Sequence, residues 1–162
     1  MAQANKPTLR DPNVLFLSFM GAGFSPIAPG TVGTIVTVPF LIFITWLDIP
    51  FLALSIAVGC LTIISCYLAE KAQKKYDVHD PSWIVFDESI GISIAWLFLL
   101  QHSAIDILAI FCLFRFFDIL KIWPASYFDR LNTGTGTILD DVVAGIFAGL
   151  IYLLFYYILS LF

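Results

Sequence analysis

Apolar residues fall along the chain in long, nearly unbroken runs, separated by short clusters that hold almost all of the charge. Five of these runs approach the length a helix needs to cross a bilayer, about 20 residues for about 30 Å of hydrocarbon. They cover residues 31–47, 50–69, 83–100, 104–123 and 141–161, the first short enough to borrow length at one end. None alternates with the two-residue period of a membrane barrel strand, and the connections are short, so the pattern predicts helices throughout. No internal repeat or low-complexity tract interrupts it. The expected architecture is an all-α polytopic membrane bundle of about five transmembrane helices. It forms one domain over residues 1–162, with a polar N-terminal tail at 1–12.

Ahead of the first span, the apolar stretch Val14 to Met20 follows Lys6 and Arg10 and precedes Gly21, Ala22 and Gly23, an order shared with signal peptides. The apolar part is short, however, and GAGFSPIAPGTVG places Pro26 and Pro29 among four glycines. Residues 14–25 are therefore expected to form a bent interfacial or re-entrant segment that does not cross. In the last run, Gly145 and Gly149 form a GxxxG, expected to pack helices.

Composition strengthens the membrane reading. Hydrophobic residues make up 60% of the chain and charged ones 12%, with a mean hydropathy of +0.94, against roughly 25% charged in soluble domains. A net charge of -4, with no Lys/Arg cluster interleaved with aromatics, argues against a nucleic-acid partner. Cys60, Cys66 and Cys112 lie in apolar runs at no metal-ligand spacing and read as small buried hydrophobes. The oligomeric state is left open.

Short loops rich in Lys and Arg stay cytoplasmic. Lys6 and Arg10 precede the first span, Lys71, Lys74 and Lys75 follow the second, and Lys121 and Arg130 flank the end of the fourth. The turns near Asp48 and Gln101 to Ser103 have neither residue type. The expected topology places the N-terminus in the cytoplasm and the C-terminus on the periplasmic or extracellular side.

Most polar residues collect at the cytoplasmic ends of the spans: HDPSWIVFDE (79–88), FRFFDILKIWP (114–124), Asp129 with Arg130, and the pair Asp140 and Asp141. Only Asp48, His102 and Asp106 are left for the other side. An ionisable group in a membrane helix costs about 2.5 to 3.5 kcal/mol on insertion scales and marks a candidate site. Asp87 and Glu88 sit about one turn into their span, and Asp140 and Asp141 at the start of theirs. Neighbours on a helix point about 100° apart, so each pair can turn one carboxylate inward. Acids gathered without paired His or Cys favour a hard cation such as Mg²⁺. The competing explanation is that acids in a first helical turn satisfy free N–H groups and the positive end of the dipole.

Arg115, Asp118 and Lys121 recur at a spacing of three and share one broad helix face. Arg115 lies too deep to be unpaired, so Asp118 or an acid on another helix is expected as its counter-ion. That leaves two uses for it, an internal pair that joins helices or a phosphate contact; Lys121 in turn can snorkel or bind phosphate. Gly134 and Gly136, and the earlier run with Ser25 and Thr31, offer N–H and hydroxyl donors to an anion, or simply make tight turns.

GFSPIAPGTVG, HDPSWIVFDESIG, FRFFDILKIWP, YFDR and GTGTILDDVVAG, in this order and spacing, resemble the phosphatidylglycerophosphatase A family from about Gly21 to Gly149. Two departures stand out. The family's Lys-Pro-Trp-Pro reads Lys121-Ile122-Trp123-Pro124, removing a helix break, and its glycine pair reads Gly134-Thr135-Gly136. The resemblance implies a bacterial inner-membrane enzyme that uses Mg²⁺ to hydrolyse the phosphate monoester of phosphatidylglycerophosphate to phosphatidylglycerol. On that reading Asp87, Glu88, Asp140 and Asp141 supply the metal shell, with Asp80 or Asp118 as additions. Arg115 and Lys121 neutralise the phosphate, and His79 is a candidate proton donor or a loop hydrogen-bonding residue. The attacking group is either a metal-activated water or an Asp. A small divalent-cation transporter or channel is the alternative.

Overall fold

The computed structural model describes residues 6–161 and contains, among them, seven α-helices, one 3₁₀ turn and no strand. The helices are α1 (Pro12–Leu17), α2 (Pro29–Trp46), α3 (Phe51–Tyr76), α4 (Phe86–Trp96), α5 (Ala104–Leu120), α6 (Ala125–Asp129) and α7 (Gly134–Leu159). Residues 1–5 of the expected polar tail lie outside the described residues. The tail ends at Asp11, whose Oδ1 accepts from Asn13 N–H (3.0 Å) and caps α1, with Pro12 in its first turn. Proline also opens α2 at Pro29, where a missing N–H leaves no bond unmade. Ser103 caps α5 and Thr133 caps α7, each accepting an N–H from three residues on.

Among the described residues, three helices are long and apolar enough to cross a bilayer: α2, α3 and α7, of 18, 26 and 26 residues. Their outer faces are covered with exposed apolar side chains, among them Phe43, Ile63 and Leu154, the surface that hydrocarbon covers in a membrane. The expectation of five spans meets a different outcome at 83–100. Only Phe86–Trp96 is helical there, 11 residues or about 16 Å, and most of its side chains are buried. Its apolarity comes from being packed between other helices rather than from facing lipid; hydropathy alone does not separate the two. Helix α5 has 17 residues and carries Asp106, Arg115 and Asp118.

The described N-terminal segment ahead of α2 contains no helix long enough to cross a bilayer. Six residues of α1 and the 3₁₀ turn Ala22–Phe24 fold over the ends of α3 and α4. Val14 and Leu17 are buried in a cluster with Ala69, Tyr76, Trp83 and Phe86, and Val85 N–H donates to Leu17 O (2.9 Å). Asp11 ties the segment to α3 by accepting from Lys75 Nζ (2.7 Å) and Tyr76 Oη (2.6 Å).

A second apolar cluster joins α4 to α2, α5 and α7 through Leu41, Ile92, Trp96, Ile110, Phe114 and Ala148. The cysteines are a correction. Cys60 and Cys112 are exposed and Cys66 is half-buried, because an apolar run in a membrane helix has an outer face as well as a packed one.

Candidate active site

Where α4 crosses α7, the backbones nearly touch. A Cβ on Gly145 would lie 2.2 Å from Gly91 O, and one on Gly91 would lie 2.4 Å from the Phe114 ring and 2.8 Å from Asp141 O. Asp87 and Asp141 each sit four residues, one helical turn, before these glycines, so the close crossing brings their carboxylates together. Gly149 continues the contact against Phe98, which makes the GxxxG a packing surface.

One carboxylate oxygen each from Asp87, Glu88 and Asp141 lie within 4.8 Å of one another. Asp87 and Asp141 are buried, and Glu88 Oε2 is buried with no hydrogen-bond partner. Asp87 Oδ1 accepts from Glu88 N–H (3.0 Å), so Asp87 satisfies one free N–H in the first turn of α4 and faces the cluster as well. Asp140 and Asp141 are not at a helix start. Helix α7 begins six residues earlier at Gly134, so the free N–H groups and the dipole end cannot account for them.

A pocket of about 210 Å³ opens on this cluster, between the start of α2, the 80–84 turn, the end of α5 and the start of α7. Asp80, Asp87, Glu88, Asp118, Asp140 and Asp141 line it, with Lys121 the one cation in its wall. So large an excess of carboxylate in a half-desolvated space calls for a positive ligand. An all-oxygen donor set with an unpartnered Glu88 oxygen fits a hard divalent cation.

Lys121 leaves α5 in a left-handed conformation (φ 45°), which ends the helix at Leu120 although Ile122 stands where the family has proline. Its Nζ donates to Asp140 Oδ2 (2.7 Å) and to Asp129 on α6. Arg115 does not line the pocket. It lies behind Glu88 and Asp118, with Nη1 2.6 Å from Asp118 Oδ2 and 3.9 Å from Glu88 Oε1. The shorter approach is an ion pair without hydrogen-bond direction, so Nε and Nη1 are buried without a hydrogen bond.

The family description for phosphatidylglycerophosphatase A matches residues 15–156. The chain belongs to the phosphatidylglycerophosphatase A family. It is 38% identical over 134 residues to phosphatidylglycerophosphatase A of Escherichia coli, covering 82% of this chain and 77% of that one. To the protein of the same name from Haemophilus influenzae it is 39% identical over 145 residues, 88% of each. A relative from Bacteroides thetaiotaomicron, provisionally named a phosphatidylinositol-3-phosphatase, is 34% identical over 143 residues, 83% of this chain and 87% of that one. No solved structure matches.

Against the phosphatidylglycerophosphatase A reading of the sequence, the structure gathers Asp87, Glu88 and Asp141 into one cluster and turns Asp140 to Lys121. Asp80 is exposed at the rim. His79 lies outside this pocket, in a neighbouring one with Glu70 and Asn132, and its Nδ1 is 3.3 Å from Asn132 O, a loop contact. Ser25 and Thr31 do not line the pocket; Ser25 Oγ donates to Ile27 O (2.9 Å).

The expected anion site at Gly134 and Gly136 is also corrected. Gly134 N–H donates to Glu70 Oε2 (3.0 Å) and Gly136 N–H to Thr133 Oγ1 (3.0 Å), so neither is free. Both glycines serve packing. A Cβ would meet the Glu70 backbone at 2.2 Å or Phe128 O at 2.5 Å.

Sequence reasoning missed Asp129, Thr137 and Gly30. Asp129 was visible in YFDR but no spacing tied it to Lys121. Thr137 lines the pocket and accepts from Gln73 Nε2 (3.1 Å), a partner 64 residues away. At Gly30 an added Cβ would fall 2.0 Å from Glu88 Oε1; the PGTVG stretch signalled a special backbone, but not what it must avoid.

Proposed function

We propose that the chain hydrolyses the phosphate monoester of phosphatidylglycerophosphate to phosphatidylglycerol, with Mg²⁺, at the cytoplasmic face of a bacterial inner membrane. The observation that carries this reading is the convergence of Asp87, Glu88 and Asp141 beside Lys121 in one pocket. Family membership supports the substrate, and the relative from Bacteroides has a name that also specifies a lipid phosphomonoester. Lys71, Lys74 and Lys75 at the end of α3, with Lys121 and Arg130, put the basic residues at the pocket's end of the bundle, which supports a cytoplasmic site.

Asp87, Glu88 and Asp141 would hold Mg²⁺. When bound, the ion would polarise a phosphoryl oxygen and lower the pKa of a coordinated water. Lys121 Nζ neutralises phosphate oxygens as charge shifts in the transition state. Its two partners, Asp129 and Asp140, hold the ammonium in place and accept its hydrogen bonds until substrate does. Thr137 adds a hydroxyl to the wall. Asp87 and Asp141 are buried beside apolar Ile84, where their charge acts with less screening than at the open rim.

A cation transporter is not favoured. Between this pocket and the polar groups at the other end, α4, α5 and α7 are joined by Ile92, Ile110, Phe114, Ala144 and Ala148, an apolar core with no line of ionisable side chains. Purified protein in detergent, given phosphatidylglycerophosphate, should release phosphate with Mg²⁺ and stop with EDTA. Phosphate release that ignores EDTA would reject the metal, and ion flux in liposomes without hydrolysis would reject the enzyme.

A further inference from the structure

Of the two cations beside the carboxylate cluster, only Lys121 faces the pocket. Arg115 is held on α5 with its side chain 16% exposed, and its nearest charged groups are Asp118 and Glu88. Above it, the first turn of α2 closes the approach. The position where Gly30 lacks a Cβ is 2.0 Å from Glu88 Oε1 and 3.4 Å from Arg115 Nη1, so the α2 backbone packs on both. A phosphate in the pocket meets Lys121 first and is separated from the guanidinium by the Glu88 and Asp118 carboxylates.

We infer that Arg115 is a positioning residue, which acts through Glu88 and Asp118 to hold the carboxylate cluster in register, and that Lys121 alone of the two cations contacts the substrate phosphate. The inference rests on the reading of this pocket as a divalent-cation site. Glu88 is the link, because it belongs both to the three-acid cluster and to the Arg115 contact. A cation beneath Glu88 and Asp118 offsets the repulsion among buried acids that would otherwise push Glu88 out of reach of Asp87 and Asp141. Arginine suits this task because its planar fork can serve two carboxylates at once, whereas lysine supplies a single point charge. Nη1 and Nε have hydrogen-bonding capacity to spare. A shift of about 1 Å would turn the 3.9 Å approach to Glu88 into a hydrogen bond.

Partners that orient metal ligands typically change metal affinity by about 10- to 100-fold when lost, and a phosphate clamp changes phosphate affinity instead. The experiment separates these two. Mn²⁺ binding to the metal-free, detergent-solubilised protein is followed by electron paramagnetic resonance, without substrate. Inhibition by inorganic phosphate is measured separately, at saturating Mg²⁺. Arg115→Gln should weaken Mn²⁺ binding at least about tenfold while leaving the inhibition constant for phosphate within about twofold at saturating metal. Arg115→Lys should recover part of the Mn²⁺ affinity, and it reads the same split if the Gln variant does not fold. Lys121→Gln should give the opposite pattern, with phosphate inhibition weakened more than Mn²⁺ binding. Native Mn²⁺ affinity in Arg115→Gln or Arg115→Lys, with weakened phosphate inhibition, would overturn the inference. Failure of the unaltered protein to bind Mn²⁺ would instead reject the metal reading on which it stands.

Discussion

At the end of the bundle remote from the pocket, Asp106 accepts from Tyr152 Oη (2.8 Å) and pairs with Ser103, Gln101 Nε2 donates to Tyr156 Oη (3.0 Å), and Trp96 Nε1 donates to Thr45 Oγ1 (3.1 Å). These polar groups satisfy one another and join α2, α4, α5 and α7. At the pocket end the residue types are just as polar, yet Glu88 Oε2 and two nitrogens of Arg115 are buried without a hydrogen bond, although Arg115 Nη1 is ion-paired with Asp118. Among the described residues, no other buried side-chain polar atom lacks one. An unpaired buried polar group costs about 1–3 kcal/mol. Of these atoms only Glu88 Oε2 belongs to a residue that lines the pocket, so the fold satisfies one end and leaves an open carboxylate oxygen at the other.

The most damaging change should be Asp141→Asn, which preserves shape and removes one charge from the cluster. Turnover is expected to fall on the order of 10³-fold or more, about 4 kcal/mol of barrier, with thermal unfolding close to that of the unaltered protein. Asp106→Asn is its counterpart at the other end. Activity should stay within about twofold while stability drops by about 1 kcal/mol. Equal effects of the two on phosphate release would erase the distinction between the ends.

Gly30→Ala tests the same contrast by shape alone. Its methyl would displace the Glu88 carboxylate, and a misplacement of about 1 Å in a site can cost on the order of 10² in rate. The expected result is a loss of that order in kcat/KM with little change in unfolding temperature, since alanine favours helix over glycine. An unimpaired Gly30→Ala enzyme would show that the position of Glu88 is not critical.

The smallest effect concerns Asp11, outside the spans. Hydrogen bonds from Lys75 and Tyr76 hold its carboxyl down from 3.8 to about 2. Its folded-state value is depressed, so its contribution is fully present above the unfolded value near 4 and is lost as pH falls through about 2. Solvent screening limits this to about 1 kcal/mol or less. Hydrogen exchange in α1 should rise across that pH window in the unaltered protein and be raised already at pH 6 in Asp11→Asn. Identical exchange in both proteins would remove the tether.

Much of the candidate site was legible in the sequence because it is built of charges, and charges within apolar runs are conspicuous. Asp87, Glu88, Asp118, Lys121, Asp140 and Asp141 were all expected, and all line one pocket. What was not legible depends on distance across the fold. The use of the Gly134 N–H by Glu70 involves a residue 64 positions away, and so no local spacing predicts it. The span count went astray at α4 for a related reason, since Ile90, Ile92 and Ala95 are as apolar in a protein core as in lipid. Arg115 was expected to need a counter-ion, and Asp118 lies beside it; that α2 would roof the pair over depended on the packing of Gly30.

The Gly91–Gly145 contact sets the distance between two acids. Asp87 and Asp141 stand one turn beyond it, on arms about 6 Å long, so a 10° scissoring of α4 against α7 would part the carboxylates by about 1 Å. A bulkier residue at either glycine would pry the two helices apart and spread the acids with them.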